Sequence, residues 1–440
     1  MQLLISFLCF LWSFFLVKNR EIKLLIFAMF LASPIIIVFR LPVEMPIKRW
    51  IACTLLFIYL KDIFLHRRHM SLNFPLKYPI ALMFLGSILL IAFDQRFAIS
   101  YRFLYPILDA LDTYYPLFLG FYFVSSLNSI PKMYKPLLIC CFIVCLYGIF
   151  NYITFENPLI ESLIRIYEID SRTFEIILYS GWEEVRRGVM SIYRYTFDFG
   201  YNSGLFLLLL FYYLLSYKKN SKIHYICLVL ALGGIFLSAS RTVMLSALFS
   251  LLLFLIFSYK STKKTRIILF VSVVMLGSYL FIAPINNMVN LTIDTIFFQS
   301  KDLESGSSVS MRETQFLSAL ALWQQNPILG NGFKYIFLDL DWKNFTRTDG
   351  MAGFESIIYS LLIERGIVGI IVYVTLFLSI FIYYYKNLQY SRQLSALGLS
   401  IHIFFLLFAI GTGVLDSWLN TMLLHGILIK NIELSKLSLS

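Results

Sequence analysis

Residues 366–385 read GIVGIIVYVTLFLSIFIYYY, twenty residues without one charged side chain. A helix of about 20 apolar residues is long enough to cross the roughly 30 Å hydrocarbon layer of a bilayer. The apolar residues are not interleaved with polar ones, as they would be in a strand of a membrane β-barrel. A helix also satisfies its own backbone hydrogen bonds in lipid. This stretch therefore predicts a transmembrane helix.

Similar apolar stretches recur along the whole chain. Of its 440 residues, 59% are hydrophobic and 14% are charged, whereas soluble domains carry about 25% charged residues. The pattern predicts an all-α, polytopic bundle of about 12–13 transmembrane helices, forming a single integral membrane domain over residues 1–440. The candidate spans are residues 2–17, 24–39, 48–65, 77–93, 104–126, 136–154, 196–217, 223–239, 241–258, 267–284, 366–385, 394–413 and 417–430.

The distribution of basic residues predicts an orientation. Lys and Arg are concentrated in alternate short loops, such as Lys260–Arg266, and cytoplasmic loops of membrane proteins carry such an excess. Two long polar segments, about 155–195 and 285–365, then face outward. With 13 spans the N-terminus is outside as well, and if Met1–Val17 does not span the membrane the N-terminus is inside. The net charge of +12 therefore reflects membrane topology, and we predict no nucleic-acid binding.

The two outer segments hold the features that suggest an active site. Residues 159–168 place charges at helical spacing and leave an apolar face, which predicts an amphipathic helix on the membrane surface. In the second segment we predict a helix over Met311–Gln325, ended by Asn326-Pro327. One face of that helix presents Phe316, Leu320 and Trp323, and the glycines of Gly330-Asn331-Gly332 predict a turn after it.

Arginines gather near the predicted outer boundary of the membrane. An arginine stays charged at any working pH, and its planar fork grips phosphate at two points. A set of them beside an apolar groove suits a lipid-linked phosphate or diphosphate. The alternative is anchoring to lipid headgroups or pairing with Glu183 and Glu184. The residues in question are Arg186, Arg187, Arg194, Arg241 and Arg312.

Glu355 is the second candidate. It opens the stretch Phe354–Leu362, which contains no other charge. A carboxylate in apolar surroundings is costly unless it has a partner or a task, and general-base catalysis is one such task. The alternative is a helix N-terminal glutamate favoured by the helix dipole.

Other kinds of chemistry lack a sequence pattern. The chain has no P-loop and no HExxH motif. Asp339 and Asp341 are too few for a metal site, so we predict no metal and no cofactor. None of the five histidines lies in the outer segments, although His402 and His425 fall inside predicted spans.

Four motifs in a fixed order carry a resemblance to a known family. They are Ser238–Ser246, Met311–Trp323, Asn326–Gly332 and Phe354–Gly369, preceded by the run from Arg187 to Gly200. Over about residues 180–430 the chain resembles the O-antigen polymerase and ligase superfamily of bacterial envelope glycosyltransferases. The resemblance implies a GT-C-like multi-pass fold in the bacterial inner membrane and undecaprenyl-diphosphate-linked oligosaccharides as substrates. It also implies a chain-length regulator as a partner.

One departure from the family pattern bears on the activity. Ligases of this superfamily have a catalytic histidine at the start of the helix after the Gly-x-Gly turn, where this chain reads Phe354-Glu355-Ser356. That difference favours a polymerase of O-antigen, capsular or related polysaccharide. The alternatives are a ligase, or a flippase of lipid-linked oligosaccharide, although flippases tend to show two related halves. We hypothesise Glu355 as the base, Gly330, Asn331 and Gly332 as the shaping turn, and Arg187, Arg194, Arg241 and Arg312 as the diphosphate clamp.

Overall fold

A computed structural model describes residues 2–34, 38–40, 44–66, 74–92, 94–167, 188–218, 221–259, 309–338, 354–412 and 417–438. The described chain is almost entirely helical, which confirms the predicted all-α architecture. The predicted span at 267–284 lies outside these residues, as do Arg186 and Arg187.

The N-terminal half consists of eight described helices and one short hairpin. The strands β1 (Val38–Arg40) and β2 (Glu44–Pro46) pair antiparallel. The helices are α1 (Gln2–Asn19), α2 (Ile22–Phe27, continued by a π-helical turn over Ala28–Ala32), α3 (Ile47–His66), α4 (Lys77–Ala92), α5 (Ile99–Asp112), α6 (Tyr115–Phe123), α7 (Ser129–Thr154) and α8 (Pro158–Tyr167).

The C-terminal half holds eight described helices, among them the longest in the described chain. They are α9 (Thr196–Tyr217), α10 (Lys222–Leu237), α11 (Arg241–Ser258), α12 (Val309–Gln325), α13 (Tyr335–Leu338), α14 (Ile357–Asn387), α15 (Arg392–Thr412) and α16 (Trp418–Leu437). Helix α11 packs along α15, α16 packs along α6, and most of α9 is buried between its neighbours.

Five of the described helices are long and apolar enough to cross a membrane: α7, α9, α11, α14 and α15. Shorter apolar helices include α4, α10 and the Ile22–Ala32 segment. The chain is therefore a multi-pass membrane protein. The total number of spans and their orientation stay predictions.

Two predicted spans are not single continuous α-helices. The span 104–126 is two helices, because α5 ends at Asp112 and α6 begins at Tyr115. Pro116, in the first turn of α6, has no amide hydrogen to continue a helix from the preceding turn. The span 24–39 ends early: its helical part stops at Ala32, two residues before Pro34.

The amphipathic helix predicted at 159–168 is observed as α8. Its Ile160 and Leu163 are buried by the protein itself. Asn157, just before the helix, ties it to the bundle: its Nδ2 donates to the Ser191 carbonyl at 2.8 Å, and its Oδ1 accepts from the Tyr147 hydroxyl at 2.8 Å. At least part of the apolar face is therefore a packing surface, and the contact of α8 with the membrane stays a prediction.

Candidate functional site

Arg312 and Glu355 face each other where α12 and α14 begin. The Arg312 Nη2 lies 4.0 Å from the Glu355 Oε2, and both side chains are partly open, with 44% and 40% of their area exposed. The same Nη2 donates to the Gly411 carbonyl at the end of α15, at 3.1 Å. A cation and a carboxylate thus meet beside a helix end, and both remain accessible to a ligand.

Gln315 anchors the backbone of Glu355. Its Oε1 accepts the Glu355 amide hydrogen at 3.3 Å, and the side chain is fully buried. Its Nε2 has no hydrogen-bond partner within the described residues. Ser356 then caps α14, since its hydroxyl accepts from the Ile358 amide at 3.3 Å. These two bonds fix the backbone at Glu355 and therefore the position from which its side chain projects.

The packed face of α12 is one position away from the predicted one. Ala319 and Leu322 are buried together with Gln315, and they pack against Ile363 of α14. Phe316, on the predicted face, is instead 46% exposed. The small side chain of Ala319 lies in this contact, whereas the Phe316 ring lies 6.2 Å from the ring of Tyr359.

Arg241 is the first residue of α11, next to this group. A Cβ atom at Gly411 would overlap the methyl group of Thr242, so Arg241, the residue before Thr242, lies near the end of α15 that Arg312 contacts. Ser240 caps α11 by accepting from the Val243 amide. The hairpin before it also binds the chain just after Arg187, because the Val189 amide donates to the Leu237 carbonyl at 2.9 Å.

Arg194 lies where α9 begins. Its guanidinium stacks on the neighbouring Tyr195 ring at 5.0 Å. That ring stacks on Phe197, which contacts Phe408 near the end of α15. Among the described residues, no carboxylate pairs with Arg194 or Arg241. Both arginines lie at the end of the bundle that holds Arg312, and Glu183 and Glu184, their alternative partners, lie outside the described residues.

The Gly-x-Gly turn is bound into a break in α14. Gly366 has φ 56° and ψ −158°, which interrupts the helix. Ile367 and Val368 donate to the Pro327 and Ile328 carbonyls, at 3.0 and 3.1 Å, instead of to Ile363 and Glu364. Those two freed carbonyls accept from Asn331 and Gly332, at 2.8 and 3.2 Å. The turn and the helix thus share four hydrogen bonds, which pair the amides and carbonyls that the break separates.

The side chain of Asn331 closes the same turn. Its Nδ2 donates to the Leu322 carbonyl at the end of α12, at 2.8 Å, and its Oδ1 accepts from Asn326 at 2.9 Å. The residues Gly330, Asn331 and Gly332 therefore fix α12 relative to α14. Those helices carry Arg312 and Glu355.

Gly330→Ala is expected to destabilise the protein. Gly330 has φ +75°, and a Cβ atom there would lie 2.5 Å from the Glu364 carbonyl carbon. Left-handed backbone costs about 1–2 kcal/mol for a residue with a side chain, and the clash adds to that. We expect a loss of at least about 2 kcal/mol, visible as a lower midpoint of thermal unfolding in detergent. Gly233→Ala is the control: nothing lies within 4 Å of the added atom in α10, so helix propensity predicts a gain of about 0.5–1 kcal/mol.

A buried ion pair holds the other side of the helix break. Arg365 donates from Nη2 and Nη1 to the two carboxylate oxygens of Asp109, at 2.7 and 3.1 Å. Ser87 donates to the same carboxylate at 2.8 Å. Only 9% and 4% of the two charged side chains is exposed. The pair joins α5 of the N-terminal half to α14.

A second contact joins the N-terminal half to this region, at the turn. Arg96, in the loop before α5, donates to the Phe333 carbonyl at 3.0 Å and pairs with Asp94. Partial burial raises the pKa of Asp94, but hydrogen bonds from the Arg96 side chain and backbone lower it more, so the pKa lies below its usual value. The aspartate therefore stays charged and keeps Arg96 oriented towards the turn.

The histidines lie elsewhere in the described chain. His402 and His425 are buried within the bundle with their rings 5.4 Å apart. The Nε2 of His402 lies 3.0 Å from the Phe377 carbonyl, and the Nδ1 of His425 lies 3.0 Å from the Tyr384 hydroxyl. No histidine accompanies Glu355 in the outer segments of the sequence.

Part of the sequence matches a known protein family. Residues 226–374 match the Wzy_C family, described as O-Antigen ligase. The chain carries a domain of the O-antigen ligase and polymerase family. The Wzy_C domain spans about a third of the chain and includes Arg241, Arg312, the Gly-x-Gly turn and Glu355. Arg187 and Arg194 precede it. A search of curated proteins gives no match.

The Wzy_C match points to a class of membrane enzymes. Members of that family are membrane enzymes of surface-polysaccharide assembly, and this chain is a multi-pass membrane protein. The predicted resemblance is thus confirmed over residues 226–374. The roles of the individual side chains, Arg187 included, stay hypotheses.

Proposed function

We propose that this protein polymerises lipid-linked oligosaccharide repeat units at the outer face of the bacterial inner membrane. The observation that supports this most is the meeting of Arg312 and Glu355 with the end of α15, beside Arg241. The donor would be a growing chain on undecaprenyl diphosphate, and the acceptor a single repeat unit on the same lipid. A base and a set of cations are the two things this transfer requires.

The proposed reaction assigns one role to each group. Glu355 accepts the proton of the acceptor sugar hydroxyl, and that oxygen forms a new bond to the anomeric carbon of the donor. The bond from this carbon to the diphosphate oxygen breaks, and the diphosphate leaves with the electron pair. Arg194, Arg241 and Arg312 stabilise the negative charge on the leaving group, and we extend the same role to Arg187. No nucleotide sugar and no metal takes part in this scheme.

Ligation is the second candidate, because the matching family is described as O-Antigen ligase. A ligase would transfer finished polymer to a different acceptor. The sequence that follows the Gly-x-Gly turn reads Phe354-Glu355-Ser356 where ligases of the superfamily have a catalytic histidine. That difference supports polymerisation over ligation.

Surface polysaccharide from cells that lack this gene tests the proposal. We expect acceptors that carry a single repeat unit, and a full ladder on a gel once the wild-type gene returns. Long polymer accumulating on its lipid carrier would indicate a ligase instead. Repeat units that remain on the inner leaflet would indicate a flippase and would contradict the proposal.

Arg241→Ala, returned to the same cells, tests the diphosphate clamp. Loss of one preorganised charge-stabilising group costs about 10²–10³ in rate, so we expect the ladder to shrink to one or a few repeats. Arg165→Ala is the control, since Arg165 is an exposed arginine of α8 in the other outer segment. A full ladder from Arg241→Ala would remove Arg241 from the clamp.

A further inference from the structure

A cavity of about 1150 Å³ opens at the opposite end of the bundle from the candidate site. Helix α14 connects the two, because it begins beside Glu355 and ends at Asn387 in the cavity wall. Its 31 residues correspond to about 45 Å at 1.5 Å per residue. The cavity is therefore separate from the proposed polymerase site.

Four cations from three parts of the chain line this cavity. Lys77 is the first residue of α4, Lys386 and Arg392 flank the turn between α14 and α15, and Lys436 lies in the last turn of α16. The single acidic residue of the described lining is Glu433. Its Oε1 already accepts from the Lys436 Nζ at 2.6 Å and from the Tyr383 hydroxyl at 2.7 Å.

The remaining charges favour an anionic occupant. Four cations and one carboxylate leave a net charge of +3 on the described lining. Arg392 donates to the Tyr259 carbonyl, a neutral group, and so keeps its full charge. Lys77 and Lys386 are exposed. Like charges around one concavity raise the local positive potential, and an anion lowers it.

The aromatic residues distinguish a lipid from a free ion. The half-buried Phe257 lines the cavity, and Tyr385 and Tyr390 are 58% and 55% exposed. Exposed tyrosines at the end of an apolar helix are typical of the membrane interface. Acyl chains would cover such apolar surface, whereas inorganic phosphate would leave it in water.

We propose that this cavity binds the headgroup of an anionic phospholipid, with the phosphate held by Lys77, Lys386 and Arg392. Basic pockets between membrane helices on the cytoplasmic side bind such headgroups in other proteins, and the predicted orientation places this end in the cytoplasm. The bound lipid would join the ends of α4, α14 and α15. The site does not depend on the proposed polymerase activity.

The test is native mass spectrometry of the purified full-length protein titrated with phosphatidylglycerol in detergent. Each lysine near an anionic lipid is worth about a factor of five in affinity, so Lys77→Gln with Lys386→Gln should weaken the binding roughly 10- to 30-fold. Lys18→Gln with Lys222→Gln is the matched control. It removes the same charge from exposed lysines in the last turn of α1 and at the first residue of α10.

The expected result is a large loss for the cavity variant, a change within about twofold for the control, and little binding of phosphatidylcholine by the wild type. Equal losses in both variants would show general attraction to the basic surface and would overturn the proposal. No loss in either would overturn it as well. If inorganic phosphate displaced the lipid at similar concentration, the site would be an ion site and the lipid assignment would be wrong.

Discussion

Arg365→Met is expected to lower the free energy of unfolding by about 3–5 kcal/mol, because it leaves the carboxylate of Asp109 buried without its cation. The two groups share two hydrogen bonds, at 2.7 and 3.1 Å, in an environment that excludes most water. Breaking such a pair by removing one partner costs more than the pair itself contributes. The measurement is unfolding by sodium dodecyl sulfate in mixed micelles.

The second substitution that completes this test is Asp109→Leu. In the double variant both charges are gone, so we expect most of the lost stability to return, as it does when apolar residues replace a whole buried pair. Lys436→Met is the control, because its ion pair with Glu433 is more than a quarter exposed on both sides and should contribute less than about 1 kcal/mol. A double variant as unstable as Arg365→Met would show that Arg365 acts through other contacts.

The Arg365–Asp109 pair also shows how far the sequence alone leads. Asp109 falls inside a predicted span, and a charge there requires a partner. The sequence does not say which partner, because Arg365 lies 256 positions away. The break between α5 and α6 has a local cause that the sequence does show, because Pro116 lies in the first turn of α6.

The candidate site was also predictable only in part, because some of its residues stand out in the sequence and others are placed by contacts between distant parts of the chain. Glu355 attracts notice because no other charge lies near it in sequence, and the glycines of the turn are recognisable by type. Gln315 gave no such indication: a glutamine in a helix of mixed polarity reads as a surface residue. Its burial follows from the close approach of Ala319 to α14, which is a property of tertiary packing.

Glu355→Gln is expected to reduce polymerisation about 10²–10⁴-fold, the usual contribution of a general base. The change keeps the size of the side chain, and the bond from the Glu355 amide to Gln315 does not involve the carboxylate. The measurement is single-turnover transfer between purified lipid-linked repeat units, with product length read on a gel. Glu313→Gln is the matched control, because Glu313 is an exposed carboxylate on the same turn of α12 as Arg312.

A competing role for Glu355 is to orient Arg312, whose Nη2 lies 4.0 Å from its carboxylate. The two roles differ in kinetics. A base acts only in the transition state, so its loss lowers kcat and leaves KM nearly unchanged. Loss of an orienting partner weakens the grip on the diphosphate and raises KM for the donor. In that case Arg312→Gln alone would have the effect of the double variant with Glu355→Gln. Independent, multiplying losses support the base, and full-length polymer from Glu355→Gln would exclude both roles.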